Sequence, residues 1–349
     1  MSSLKDLSPE YIDMFSRQIL IRRIGLKGQR KLLNSRVLVI GGGALGSAIA
    51  VSMARLGVGF IRIVDPEIIE ISNIPRTLSY FYNDHIERTP KAYAVAREIK
   101  RISPYTEIDY RIDLFDTDNA LNLARDVDLI LDGLDNMRTR FLANEVAVEL
   151  GKPYIYAGVE GFYGVVMPVI PGRTACLRCI YQYSGDTSSI RDLCNVFGVS
   201  VVTVLAVSSL ASSIALRILL GEDIESKIYY IDLATPDMKI FNTTRNPKCP
   251  VCGLGGRELL GVVKPEKISK ACGGENIFRV RVEKEIRKID LEKIRERGFS
   301  IEEDPFRYTL RKGNISVEII KGARVLYIYG VGGYEDASQV FKEIEEMII

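Results

Sequence analysis

Up to about residue 170, short apolar runs alternate with longer amphipathic stretches. Residues 11–34 read as helical, with Met14, Phe15, Ile19 and Leu20 on one side and Arg17, Arg22, Arg23 and Arg30 on the other. Residues 37–40 form an apolar run that closes on glycines, the mark of a buried parallel strand feeding a turn. Residues 44–56 read as a helix stopped by Gly57 and Gly59, and residues 60–64 as a second strand ending at Asp65. Helices follow at 91–102 and 137–150, and strands at 106–112, 127–131 and from 153 onward. This alternation predicts an α/β fold, a doubly wound and mainly parallel sheet of Rossmann type. Residues 162–170 read as a further strand, and residues 227–242 as a hairpin around Pro236.

After Cys252 the pattern changes. Residues 254–276 are rich in glycine and lysine without clear periodicity and read as a linker. Beyond them, Phe278, Val280 and Val282 alternate, as do Ile315, Val317 and Ile319, and then Val325, Tyr327 and Tyr329. Ala337, Val340, Phe341 and Ile344 mark a final amphipathic helix. The expected organisation is a large α/β domain at 1–253, a linker at 254–276 and a small α+β domain at 277–349. That last unit carries no motif with evident chemistry.

Composition narrows the class. The 349 residues are 47% hydrophobic and 26% charged with a net charge of +2, which fits a globular protein and gives no bulk attraction to nucleic acid. The polar N-terminus shows no signal peptide, so we expect a cytoplasmic protein. Residues 196–216 carry no charge and reach membrane-spanning length. Their six Ser/Thr residues favour a buried core helix over a span. Six cysteines in such a chain point to metal or catalysis before disulfides.

The loop Gly41-x-Gly43-x-x-Gly46 supplies the tight turn and close backbone approach that a phosphate needs, at the start of a helix. Asp65, at the end of the second strand, is placed for ribose hydroxyls. Alone, these features also fit an NAD-dependent oxidoreductase. Arg76 and Lys91 change the balance, because cations around a triphosphate neutralise charge during attack at phosphorus. Asp135 follows a buried strand where open α/β sheets place ligands, and could hold Mg²⁺, with Asp132 as its competitor. Cys176, Cys179, Cys249 and Cys252 form two Cys-x-x-Cys pairs, a spacing that suits a closed structural Zn²⁺ site against the alternatives of disulfides or free thiols. His85, the only histidine, has no evident partner as a base.

In this order the motifs resemble the ubiquitin-activating-enzyme-like adenylyltransferases, the family typified by ThiF, MoeB and HesA. The resemblance runs from Met14 to Gly253 through Ser16-Arg17-Gln18, the glycine loop, Asp65, Ser72-Asn73 with Arg76, Pro90-Lys91, Asp135-Asn136 with Arg140 and Asn144, and both cysteine pairs. It implies that ATP and Mg²⁺ adenylate the C-terminal carboxylate of a small ubiquitin-like or sulfur-carrier protein ending in Gly-Gly. Ala44, Ser72, Asn73 and Asn136 would join the glycines, Asp65, Arg76, Lys91 and Asp135 around the nucleotide. It further implies a homodimer in which Arg17 reaches the partner's site, and a role for Cys194 in receiving the activated carrier. A buried structural thiol is the alternative for Cys194. Three positions depart from the family pattern: Ala44 replaces a further glycine, Pro75 interrupts the run before Arg76, and Leu134 replaces a threonine.

Overall fold

A computed structural model describes residues 6–183, 198–263, 266–271 and 276–348. Its larger sheet has eight strands: β1 (Arg36–Ile40), β2 (Phe60–Val64), β3 (Glu107–Arg111), β4 (Leu129–Asp132), β5 (Tyr154–Glu160), β6 (Tyr163–Val169), β7 (Lys227–Asp232) and β8 (Asp237–Asn242). Their order is β3-β2-β1-β4-β5-β6-β7-β8. The strands from β3 to β5 run parallel, whereas β6, β7 and β8 add an antiparallel meander. The inner parallel strands β1 and β4 are apolar almost throughout, because helices cover both faces, whereas the edge strand β3 is largely polar.

One face carries the helices Ala44–Arg55, Lys91–Ile102 and Val201–Leu220; Ile49, Met53, Val95, Ile99, Val207 and Ala211 enter one core. The other face carries Met137–Leu150, whose Phe141, Leu142 and Val146 pack with Tyr154, Met167 and Leu177. Val201–Leu220 is long and apolar enough to cross a membrane by length and composition. Its Val204, Val207, Ala211, Ile214 and Ala215 are nevertheless buried within the protein, and Val207 seats against Gly164 of β6. Core packing accounts for its small residues: they let the helix approach the sheet closely.

The N-terminal stretch is not one helix. It divides into Pro9–Met14, Ser16–Ile19 and Gly25–Leu33: Phe15, at φ −101° and ψ 13°, parts the first two, and Gly25, at φ +56° and outside helical geometry, stands where the third begins. The segment expected to be a linker is also partly structured. Leu259 and Leu260 are buried in the core of the large domain, and Ile268–Lys270 forms a strand, β9, of the second sheet.

That second sheet joins β9 to β10 (Ile277–Arg281), β11 (Ser300–Glu303), β12 (Arg307–Lys312), β13 (Ile315–Ile320) and β14 (Val325–Tyr329). All its pairings are antiparallel, in the order β11-β12-β13-β14-β10-β9. The helix Tyr334–Ile344 covers one face through Ala337, Val340, Phe341 and Ile344, against Phe278, Val280, Leu326 and Ile328. Val325, Tyr327 and Tyr329 point the other way and pack with Ile112 and Leu114 of the large domain. Polar groups complete this junction. Arg281 Nε donates to Asp116 at 2.5 Å, Arg324 Nε to Asp113 at 2.8 Å and Tyr327 Oη to the Pro66 carbonyl at 2.8 Å. Burial pushes the Asp113 carboxyl up and Arg324 opposes that shift.

Arg324→Ala would leave Asp113 without its guanidinium partner at a largely buried junction. It should destabilise the C-terminal unit by about 2 kcal/mol, read as an earlier transition in urea unfolding followed by circular dichroism. An unchanged transition would show that the ion pair contributes nothing net.

Candidate active site

The strand order reverses between β1 and β4, so the loops leaving these strands diverge and open a crevice at their C-terminal ends. Glycines let the two loops touch. Gly41 sits at φ +91°, and a Cβ there would fall 2.5 Å from the Gly133 carbonyl oxygen; a Cβ on Gly46 would fall 1.9 Å from that of Gly41. A Cβ on Gly43 would meet nothing, since this residue faces open space. Gly43 caps the helix Ala44–Arg55 with no side chain bonded across its first turn, which leaves amides available to an anion.

The loop is held from both sides. Asp65 Oδ2 accepts from the Gly42 amide at 2.7 Å, and the Tyr80 hydroxyl donates to the Gly42 carbonyl. Tyr80 escaped sequence reasoning because a single tyrosine in an irregular segment carries no spacing signal.

A cavity of about 470 Å³ brings together Gly41, Gly43, Ala44, Asp65, Ser72, Asn73, Arg76, Lys91, Asp135 and Asn136. Gly46 lies behind them against Gly41, and Arg17 is exposed on its own short helix, lining no part of the cavity. Asp65 is buried, its second oxygen accepting from the Glu67 amide at 2.7 Å. Burial pushes its pKa up to about 6, against the pull of Lys91. Lys91 opens the helix Lys91–Ile102 and pairs with Glu67 at 2.5 Å. Asn73, also buried, accepts from the Glu70 amide at 3.1 Å and so shapes the 3₁₀ turn Ile71–Arg76 that presents Ser72 and Arg76.

The two acidic candidates part company. Asp132 is fully buried and spent on structure: it accepts from Arg140 Nε at 3.2 Å, Tyr154 Oη at 2.7 Å and the Leu134 amide at 2.8 Å. Arg140 also donates to the Leu134 carbonyl at 2.5 Å and the Ala157 carbonyl at 3.1 Å. Together they fix the turn that puts Asp135 at the rim. Asp135 is exposed, and its contact of 3.2 Å is with the neighbouring Asn136 amide. Geometry therefore favours Asp135 over Asp132 as the carboxylate free to meet a cation.

On the far side of the helix Met137–Leu150, the four thiols of Cys176, Cys179, Cys249 and Cys252 lie within 4.8 Å of one another. Sulfurs sit 3.7 Å apart for Cys176 and Cys249 and 3.4 Å for Cys179 and Cys252. Tetrahedral Zn–S bonds of about 2.3 Å require sulfurs about 3.8 Å apart, so the cluster fits zinc closely. All four are unbridged, and burial pushes the Cys176 thiol up to about 11. A bound cation would favour the anionic form of Cys176 against that burial. The Asn246 amide donates to Cys179 Sγ at 3.5 Å. Asn144 accepts from the Leu177 amide at 2.8 Å, and Glu145 from the amides of Glu258, Leu259 and Leu260. Glu145 likewise had no sequence signal. Cys194 lies outside the described residues. His85 sits on the short helix Tyr82–Ile86 and lines no part of the cavity.

A phosphate-type glycine loop at a sheet switch point, rimmed by cations and one exposed carboxylate, defines a nucleotide-binding α/β enzyme. The chain belongs to the ThiF family, which residues 15–251 match. It is 30% identical over 337 residues to the sulfur carrier protein ThiS adenylyltransferase of Bacillus subtilis (strain 168), covering 94% of this chain and 97% of that one. To the sulfur carrier protein adenylyltransferase of Thermus thermophilus it is 31% identical, over 70% of this chain and 92% of that one. In fold it is similar to E. coli MccB, solved with succinimide: TM-score 0.60, 23% identity, 69% of this chain and 75% of that one. None of these relatives is an oxidoreductase, and that alternative finds no support.

The cysteine cluster makes a direct prediction. The purified chain should carry zinc, and Cys252→Ser should lose it and melt at least several degrees lower, read by metal analysis and calorimetry. Unchanged metal content in the variant would exclude this cluster as the binding site.

Proposed function

We propose that this adenylyltransferase activates the C-terminal carboxylate of a small ubiquitin-like or sulfur-carrier protein ending in Gly-Gly, using ATP. One observation carries the reading: a single cavity collects the glycine loop, Asp65, Arg76, Lys91 and Asp135. The adenylyltransferase names of the two full-domain relatives support it.

In this reading the ribose hydroxyls donate to Asp65, and the phosphates lie over the first turn of the helix Ala44–Arg55. A carboxylate oxygen of the carrier attacks the α-phosphorus, the bond to the β-phosphate oxygen breaks, and pyrophosphate leaves. Arg76 and Lys91 offset the charge that develops. Lys91 must exchange part of its contact with Glu67 for the nucleotide. No general base is required, since the attacking carboxylate is already ionised. Asp135 would hold Mg²⁺, which draws charge from the phosphates when bound. Zinc at the four cysteines would brace the domain. Ser72, Asn73 and Asn136 would complete the nucleotide contacts. We further propose a homodimer working in the cytoplasm, whose exposed Arg17 serves the partner's cavity, and Cys194 as the thiol that receives the activated carrier.

ATP–pyrophosphate exchange should appear only when a Gly-Gly carrier is supplied, and Asp135→Ala should lower it about 100-fold or more. Exchange without a carrier, or an Asp135→Ala enzyme as fast as the parent, would contradict the assignment.

Acidity gives a second check. Ribose hydroxyls donating to Asp65 favour its charged form, so nucleotide binding releases a proton wherever that group is protonated. Affinity for ATP should be greatest above about pH 6 and fall as pH drops below it. Asp65→Asn should bind weakly with this component missing; the same profile in both proteins would assign the pH effect to the phosphates.

A further inference from the structure

The C-terminal sheet, which carried no chemistry in the sequence, reaches the cavity. Along β10, Phe278 and Val280 turn into the small domain's own core, so Ile277, Arg279 and Arg281 face the large domain. Arg281 is absorbed by Asp116 and Asp118. Nearby, Arg324 is absorbed by Asp113 and Asp116. Arg279 is different. It lines the nucleotide cavity and an adjoining one of about 350 Å³. Among the described residues it has no carboxylate partner. Its Nη2 reaches Ser269 Oγ at 3.3 Å, and its Nε is buried with no hydrogen-bond partner.

Arg279 is half-buried, and a buried N–H left without an acceptor is costly, so such a group at the wall of a cavity calls for a ligand. Its place says which part of the ligand. Arg279 is paired across the sheet with Tyr327, whose hydroxyl bonds to the Pro66 carbonyl immediately after Asp65. Leu114 packs against the cluster containing Tyr327, and Leu114 and Phe115 are the apolar part of the wall that both cavities share with Arg279. Arg279 therefore stands beside the ends of β2 and β3, next to the segment that carries Asp65, on a wall that also includes Glu67 and Asp135.

We propose that Arg279 of the C-terminal domain is a nucleotide-binding residue of the adenylation site, its planar guanidinium covering the purine opposite Leu114 and Phe115. A delocalised cation over an aromatic face is favourable once desolvated, and lysine reproduces the charge without the planar stacking. The small domain is then a roof over the base end of the cavity, held in place by the Arg281–Asp116 and Arg324–Asp113 pairs.

This inference deepens the adenylation reading and depends on it. The test measures the affinity of the full-length chain for ATP and for AMP by calorimetry, in the parent, Arg279→Ala and Arg279→Lys, with melting temperatures to verify folding. Base stacking predicts that Arg279→Ala weakens both nucleotides by a similar factor, about tenfold, and that Arg279→Lys recovers only part. Loss confined to ATP would place Arg279 on the pyrophosphate and overturn the proposal. Unchanged affinities with a raised KM for the carrier would move it to the carrier's tail, with the same result. If Arg279→Ala fails to fold, the comparison of parent with Arg279→Lys decides, equal affinities overturning the stacking role. A parent chain that binds neither nucleotide would instead sink the adenylation reading itself.

Discussion

The site depends on one close approach, that of the loop after β1 to the loop after β4. Backbone meets backbone at Gly41, Gly46 and Gly133, where a single added Cβ would lie 1.9 to 2.5 Å from a neighbouring main-chain atom. No side chain can be accommodated at such a distance. The contact fixes the crevice floor, and with it the direction in which the helix Ala44–Arg55 presents its first amides. Asp65 and Tyr80 then tie Gly42 from its amide and its carbonyl, so the loop is set before any ligand arrives. Preorganisation of this kind means that little backbone entropy remains to be lost on binding phosphate.

Charge is arranged by the same logic of cost. Removing a carboxylate from water is tolerable only with several donors around it, and Asp132 has three. It is therefore committed, and what it gains for the protein is the position of the turn at Leu134. Asp135, three residues on, escapes burial and bonds to its neighbour Asn136. Two acids on one short loop end in opposite environments because one side chain follows the strand into the core and the other leaves it. Glu67 and Lys91 show an intermediate case, an ion pair on the wall of the cavity.

Much of this was legible in the chain. The parallel strands declared themselves as apolar runs, the glycine loop and the cysteine pairs by spacing, and Lys91–Ile102 and Met137–Leu150 by periodicity and flanking residues. What was not legible has a common cause. Tyr80, Glu145 and the Asp132–Arg140–Tyr154 set act through contacts between distant segments, and no local period records them. The alternation of Val325, Tyr327 and Tyr329 was read correctly, but Leu326 and Ile328 are buried as well, because a helix covers one face and the large domain the other. Residues 254–276 lacked periodicity yet are ordered in part: Glu145 supplies an acceptor for the backbone around Leu259, and strand pairing captures Ile268–Lys270. Arg279 was hidden by the same rule, since a charged residue alternating with core positions reads as a solvated face.

The helix Met137–Leu150 joins these parts into one mechanical unit. Its first turn carries Thr139 and Arg140 on the nucleotide cavity. One turn further, Asn144 grips the amide of Leu177 between two of the clustered thiols, and Glu145 grips the backbone that leads towards the second sheet. A bound zinc would fix the segments that Asn144 and Glu145 hold, and so restrain the helix that aims Arg140 at the turn before Asp135. Metal, helix and acidic rim are then coupled through packed backbone, not through charge. With zinc bound, the cysteine cluster would need no contact with the cavity to matter for it, because it would limit how far the floor and the rim can drift apart.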